Sequence, residues 1–176
     1  MVLRDSQIYG AGGLMRVDFY HLQKSPLDAV LPVLVQKVRA TGKRLLIRTD
    51  LTQKAEHINV LLWTFDPASW VPHGTAADGY ESEQPVFIAD GAGNPNNAEM
   101  IMLTDGGTID EIKPFERCLN LFDGHDETAV RQARELWKAV VTAGHEAYYW
   151  QQNDAGKWEM KASKVPQIRD LNKIQI

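Results

Sequence analysis

The chain has 176 residues, 44% of them hydrophobic and 24% charged, with a formal net charge of −4 and a pI near 5.7. Such a length and composition suit one globular domain and exclude a disordered chain, and the acidic balance excludes a global field drawing it onto duplex DNA or an anionic membrane. The one cysteine, Cys118, excludes an intramolecular disulfide and a Cys-based zinc site, and no apolar run approaches the roughly 18 residues of a membrane helix, so a reducing cytoplasm is the expected compartment.

Residues 1–14 carry Gly10-Ala11-Gly12-Gly13 and show no sustained period. They are expected to be a disordered leader or expression remnant, ahead of a domain over 15–163 and a polar tail over 164–176. The aromatic and apolar stretch Val17 to Leu22 predicts a buried strand. Ser25 and Pro26 then offer an N-cap and a first-turn proline. Leu27, Val30, Leu31, Leu34, Val35 and Val38 recur at helical spacing, and Gly42 offers a left-handed stop. Leu45 to Ile47 predicts a second strand, and Asp50 with Gln53 resembles a capping box for a helix reaching Trp63. Strand–helix–strand–helix order predicts a parallel α/β layer.

A loop is expected from Phe65 to Tyr80, then strands over Pro85–Ala89, Met100–Leu103 and Arg117–Phe122. Asp126 is the expected cap of a helix over Glu127–Ala143, closed by Gly144. Glu146–Gln152 and Lys157–Ala162 alternate around Asp154-Ala155-Gly156, a pattern that fits a hairpin. The fold expected from these elements is α/β, built around a mostly parallel five-stranded sheet.

A sheet of this kind invites a search for phosphate motifs. No G-x-x-x-x-G-K-[ST] is present, and the glycines at 10, 12 and 13 precede the first strand instead of following it. Asp90-Gly91-Ala92-Gly93 follows a strand but runs into Asn94-Pro95-Asn96-Asn97 and another strand, so it offers no helix N-terminus. A nucleotide- or small-molecule-binding enzyme using this loop is the rival reading. None of His21, His57, His73, His125 and His145 pairs at metal-ligand spacing, and no nucleophile elbow is present. His73 in its loop reads foremost as a ring bonded to its own backbone, and Cys118 as a small core residue. No catalytic residue, cofactor site or metal site is expected.

Recognition surfaces remain. Arg131, Arg134 and Lys138 succeed one another at three and four residues, with Trp137 at the edge of the stripe. Cations beside an indole suit a peptide ending in a hydrophobic residue with a free carboxylate. A solvated basic face with Trp137 turned inward is the competing reading. The aromatics of Trp63-Thr64-Phe65 and Trp70-Val71-Pro72 read equally as core or as interface anchors.

The order and spacing of several segments carry a resemblance. They are Val17-Asp18-Phe19-Tyr20-His21-Leu22, Gly42-Lys43-Arg44-Leu45-Leu46-Ile47, Leu61-Leu62-Trp63-Thr64-Phe65 and Ser69-Trp70-Val71-Pro72-His73-Gly74. Pro85-Val86-Phe87-Ile88, Phe115-Glu116-Arg117, Phe122-Asp123-Gly124 and Ala133-Arg134-Glu135-Leu136-Trp137-Lys138 complete the series. Over Arg16 to Trp158 the chain resembles the chi family of DNA polymerase III subunits. The resemblance implies a three-layer α/β/α sandwich, Rossmann-like but without nucleotide motifs, and a non-catalytic accessory subunit of the replicative polymerase, active in DNA replication. Its implied partners are the psi subunit, through it the clamp-loader complex, and the acidic, phenylalanine-ending tail of the single-stranded-DNA-binding protein. Contact with single-stranded DNA would run mainly through that protein. The implied tail site is Arg134, Trp137 and Lys138, with Arg131 beside them. The implied psi surface is Trp63, Phe65, Trp70, Val71, Pro72 and His73. The sequence departs from the resemblance at Val130 and Val141, which stand where the family carries basic residues. Arg131 is the nearest replacement for the first, turned about 100° around the helix.

Overall fold

The computed structural model describes residues 13–166. The leader and tail expected at 1–14 and 164–176 lie largely outside the described residues. Among the described residues the strands are β1 (Arg16–Leu22), β2 (Leu45–Arg48), β3 (Gly74–Thr75), β4 (Val86–Ala89), β5 (Met100–Leu103), β6 (Arg117–Asp123), β7 (Glu146–Gln152) and β8 (Trp158–Lys164). The helices are α1 (Leu27–Ala40), α2 (Thr52–Thr64), α3 (Ile109–Ile112) and α4 (Glu127–Thr142).

All eight strands join one sheet in the order β3-β4-β2-β5-β6-β1-β7-β8. Every neighbouring pair is parallel except β7–β8, the expected hairpin. The five expected strands are β1, β2, β4, β5 and β6. The structure adds β3, whose two residues are too few to show a period, inside the expected Phe65–Tyr80 loop. It also joins the expected hairpin to the sheet, because β7 pairs with β1 and brings β8 with it.

The period-two alternation of the strands feeds two cores, one on each face. Tyr20, Ile47, Ile88, Met102 and Leu119 pack against Leu31, Leu34 and Val35 of α1 and Ile58 and Leu62 of α2. Phe19, Leu46, Phe87, Ile101 and Cys118 pack against Ile112 of α3 and Ala133, Leu136 and Val140 of α4. Burying each large side chain contributes about 1.5–3 kcal/mol, and two filled faces fix the three-layer arrangement. Burial, and then the nearby Asp18 charge, push the Cys118 thiol far above its ordinary range, so it acts as a core side chain.

Two expected caps are corrected. Pro26, not Ser25, occupies the cap position of α1. Ser25 instead bonds the hairpin: its N–H donates to Gln152 Oε1 at 3.1 Å, and its hydroxyl accepts from Gln152 Nε2 at 3.1 Å. Leu51, not Asp50, precedes α2, and no side chain caps that helix. Asp50 is taken by Lys54, 2.8 Å away. A capping box does form at α3, between Thr108 and Glu111. Gly42 and Gly144 stand just past α1 and α4, both at φ 78°, where a Cβ would be strained.

One polar residue interrupts the buried face of β1. Asp18 is 0% exposed. Its carboxylate accepts from Arg16 Nη2 at 2.8 Å, Arg117 Nε at 2.7 Å and Trp150 Nε1 at 2.9 Å. The three donors belong to β1, β6 and β7, so one charge ties three strands together. Asp18→Asn is expected to remove about 2–4 kcal/mol, less than a fully buried pair because both arginines reach solvent. The urea midpoint measures this, and an unchanged midpoint would show that the charge contributes nothing.

His145 supplies a pH dependence. Its Nδ1 accepts the Met15 N–H at 3.2 Å, a role open only to an unprotonated nitrogen. Burial, and then the Lys113 charge, lower its pKa from the ordinary histidine range. A base depressed in the folded state binds its proton more readily when unfolded, so its contribution is complete above about pH 6.5 and is lost on acidification below it. Melting temperature is therefore expected to fall between pH 7 and 5, with a shallower slope in His145→Gln. Parallel slopes would remove His145 from the account.

Candidate functional site

α4 is amphipathic by sequence. Asp126 caps it, accepting from the N–H groups of Thr128 at 2.9 Å and Ala129 at 3.3 Å. Ala133, Leu136 and Val140 are buried under the helix, while Arg131, Arg134 and Lys138 are exposed. None of these three cations enters an ion pair among the described residues. Trp137 is half-buried, its ring edge-on to Phe19 at 5.3 Å and to Tyr149 at 6.5 Å. Neither extreme of the sequence reading applies, since the indole is anchored in the core and still reaches a surface.

That surface is a groove of about 400 Å³ between α4 and the sheet edge. α4 contributes Val130, Ala133, Arg134 and Trp137. Phe19 and Phe122 come from β1 and β6, Tyr149 from β7 and Ala162 from β8. The lining is apolar, with the Arg134 cation on it. Counting around the helix from Arg134, Trp137 lies about 60° to one side, while Lys138 and Arg131 lie about 40° and 60° to the other. The structure thus brings Arg134 and Trp137 together in the groove and leaves Lys138 and Arg131 outside its lining. Val130 lines the groove, and Val141 packs against the core beneath.

His21 completes the polar part of the lining. Its ring stacks on Phe122 at 4.9 Å, and its Nδ1 meets the Tyr149 hydroxyl and Gln151 Nε2, the latter at 3.1 Å. Burial lowers its pKa, and the His125 and Arg134 charges act in the same direction against Gly124 and Asp123. The ring is therefore neutral at neutral pH. Gly124 lies so close that a Cβ there would come within 2.2 Å of His21 Nε2. Only glycine leaves the ring in place. Sequence reasoning missed Phe19, His21, Phe122, Tyr149 and Ala162 as groove residues. Strand alternation places Phe19 and Phe122 on the α4 side, but the pairing of β7 with β1 has no local signal.

A second surface lies on the α1–α2 layer and the loop after it. Trp63 is 55% exposed and Trp70 72% exposed, accompanied by exposed Val33 and Val60. Gln36 Nε2 donates to Ser69 Oγ at 2.6 Å and pins the loop to α1. The six residues grouped here by sequence divide by depth. Phe65 packs partly into the core, Pro72 is half-buried, and Val71 and His73 are only 4% and 8% exposed. His73 supports the loop: Nδ1 bonds the Val71 carbonyl at 2.6 Å and Nε2 faces the Asn59 carbonyl at 3.1 Å.

The ends of β2, β4 and β5 frame a crevice where the rival nucleotide reading places a ligand. Asp50, Asp90, Asp105 and Glu111 line it, a rim that repels phosphate. Lys54 is committed there, its pKa raised by bonds to Asp105 and then Asp50. Glu111 and Thr108 close the start of α3. No group of three His, Cys, Asp or Glu side chains is placed to hold a metal ion, and no helix is long and apolar enough to cross a membrane, among the described residues.

Comparison with known proteins identifies the family. The sequence pattern of the DNA polymerase III chi subunit, HolC, matches residues 14–148, from the residue before Met15 into β7. A protein of Rickettsia prowazekii (strain Madrid E) described as a probable DNA polymerase III subunit chi is 27% identical over 110 residues. The similarity covers 62% of this chain and 66% of that relative, just under two thirds of its length. With the matched residues spanning most of the chain and both of its cores, the chain belongs to the DNA polymerase III chi subunit family.

Proposed function

We propose that this chain is a non-catalytic accessory subunit of the bacterial DNA polymerase III holoenzyme. It links the clamp loader, through psi, to the single-stranded-DNA-binding protein during DNA replication in the cytoplasm. The observation that carries the reading is the groove at α4, where an accessible apolar slot adjoins the Arg134 cation, which lacks a carboxylate partner among the described residues. A terminal phenylalanine fits the slot between Trp137 and Phe122, and its free carboxylate and acidic neighbours meet Arg134 and, farther around, Lys138 and Arg131.

Such a contact is weak by itself, about micromolar. Many tails on one coated strand raise the effective concentration, so avidity holds the assembly. The exposed Trp63 and Trp70 suit the psi contact, because indoles bury much area at low entropic cost. Val71 and His73 serve that surface as buried supports of the loop.

Two outcomes test this reading. Arg134→Ala and Trp137→Ala are each expected to weaken a fluorescein-labelled tail peptide about tenfold in anisotropy titrations, while Lys138→Ala and Arg131→Ala weaken it about two- to threefold. Wild-type affinity in both of the first two variants would remove the site. Trp70→Ala is expected to lower the yield of co-purified psi severalfold with an unchanged melting temperature, as befits a largely exposed side chain. Undiminished co-purification would move the psi contact elsewhere.

A further inference from the structure

The groove has two walls of different origin. α4 forms one. The other is the α4-facing side of the β7–β8 hairpin, and all of β8 lies beyond the matched residues 14–148. The hairpin is firmly held from its far side. Trp150 stacks on Tyr20 at 6.2 Å, and Trp158 meets the same ring edge-on at 5.1 Å. Trp150 also donates to Asp18, and Gln152 binds Ser25 through two hydrogen bonds.

Register decides which hairpin residues look toward α4. Ala147 belongs to the α4-side core and pairs with Lys164. Tyr149 lines the groove and pairs with Ala162, which lines it too. Ala162 and Lys164 are therefore successive positions on the α4 side, about 7 Å apart. The small Ala162 leaves the cavity open. Lys164 enters no ion pair among the described residues. Glu159, the acidic residue on the same side, is already held by Lys161 at 2.7 Å and Asn153 at 2.9 Å. This wall is open and apolar at Ala162 and cationic at Lys164.

We infer that the hairpin is a working wall of the peptide site, with Ala162 admitting the terminal aromatic side chain and Lys164 receiving a carboxylate of the acidic residues before it. The ligand is an extended acidic peptide with a free aromatic C-terminus. The inference rests on the groove reading above and adds a second contact surface to it.

The full-length chain is titrated with two labelled peptides, the acidic tail and a version with its acidic residues replaced by serine. Ala162→Trp fills the cavity and is expected to weaken both peptides about tenfold. Lys164→Glu is expected to weaken the acidic peptide about fivefold at low salt and to leave the serine peptide unchanged. Ser163→Trp, on the opposite side of β8, retains wild-type affinity. Melting temperatures confirm folding, and if Ala162→Trp is destabilised, Lys164→Glu decides alone. Wild-type affinity in Ala162→Trp and Lys164→Glu with Trp137→Ala impaired would remove the hairpin and leave the α4 site standing. Wild-type affinity in all three would remove both.

Discussion

A carboxylate sealed from water in the middle of β1 sets the geometry on which both sides of the groove depend. Burying Asp18 is tolerable because donors from three strands converge on its carboxylate. Those donors work only in one register. Arg16 must precede it on β1, Arg117 must open β6, and Trp150 must reach across from β7. The Arg16 guanidinium also lies 4.2 Å above the Tyr148 ring, a further grip on β7. With β7 so placed, Tyr149 is carried to His21 on the opposite face, and the hairpin stands beside α4.

The charges of the domain are sorted by location. Carboxylates gather at the carboxyl ends of the parallel strands, where comparable folds often receive phosphates, and they engage Lys54 there. The cations of α4 enter no ion pair among the described residues. A chain with a net charge of −4 therefore still presents a local positive ridge. Recognition at such a site depends on short-range contact and on salt, since the field of the whole molecule opposes an acidic ligand.

Much of the fold was legible because its signals are local. The apolar spacing of α1 and α4, the glycines after them, and the runs that became β2, β4 and β5 all appear within a few residues of themselves. The caps at Ser25 and Asp50 misled because a serine or an aspartate before a helix has other uses. Here Ser25 holds Gln152 and Asp50 holds Lys54. The site was half legible. Arg134 and Trp137 share a helix, so counting relates them. Phe19 and His21 join Tyr149 only through strand pairing across more than a hundred residues, and Ala162 follows through the hairpin. Nothing in a short window reports such a pairing. Asp18 was equally hidden, one acid in an apolar run whose donors are scattered along the chain.

The groove and the exposed indoles lie on opposite outer layers, one beside α4 and the other on α1 and α2. On the proposed reading, two partners docked there never collide, so neither must leave before the other arrives. Binding order is then free. Any pull between them crosses the thickness of the sandwich through packed side chains, and the sheet becomes a stiff spacer that keeps polymerase machinery and coated strand at a set separation.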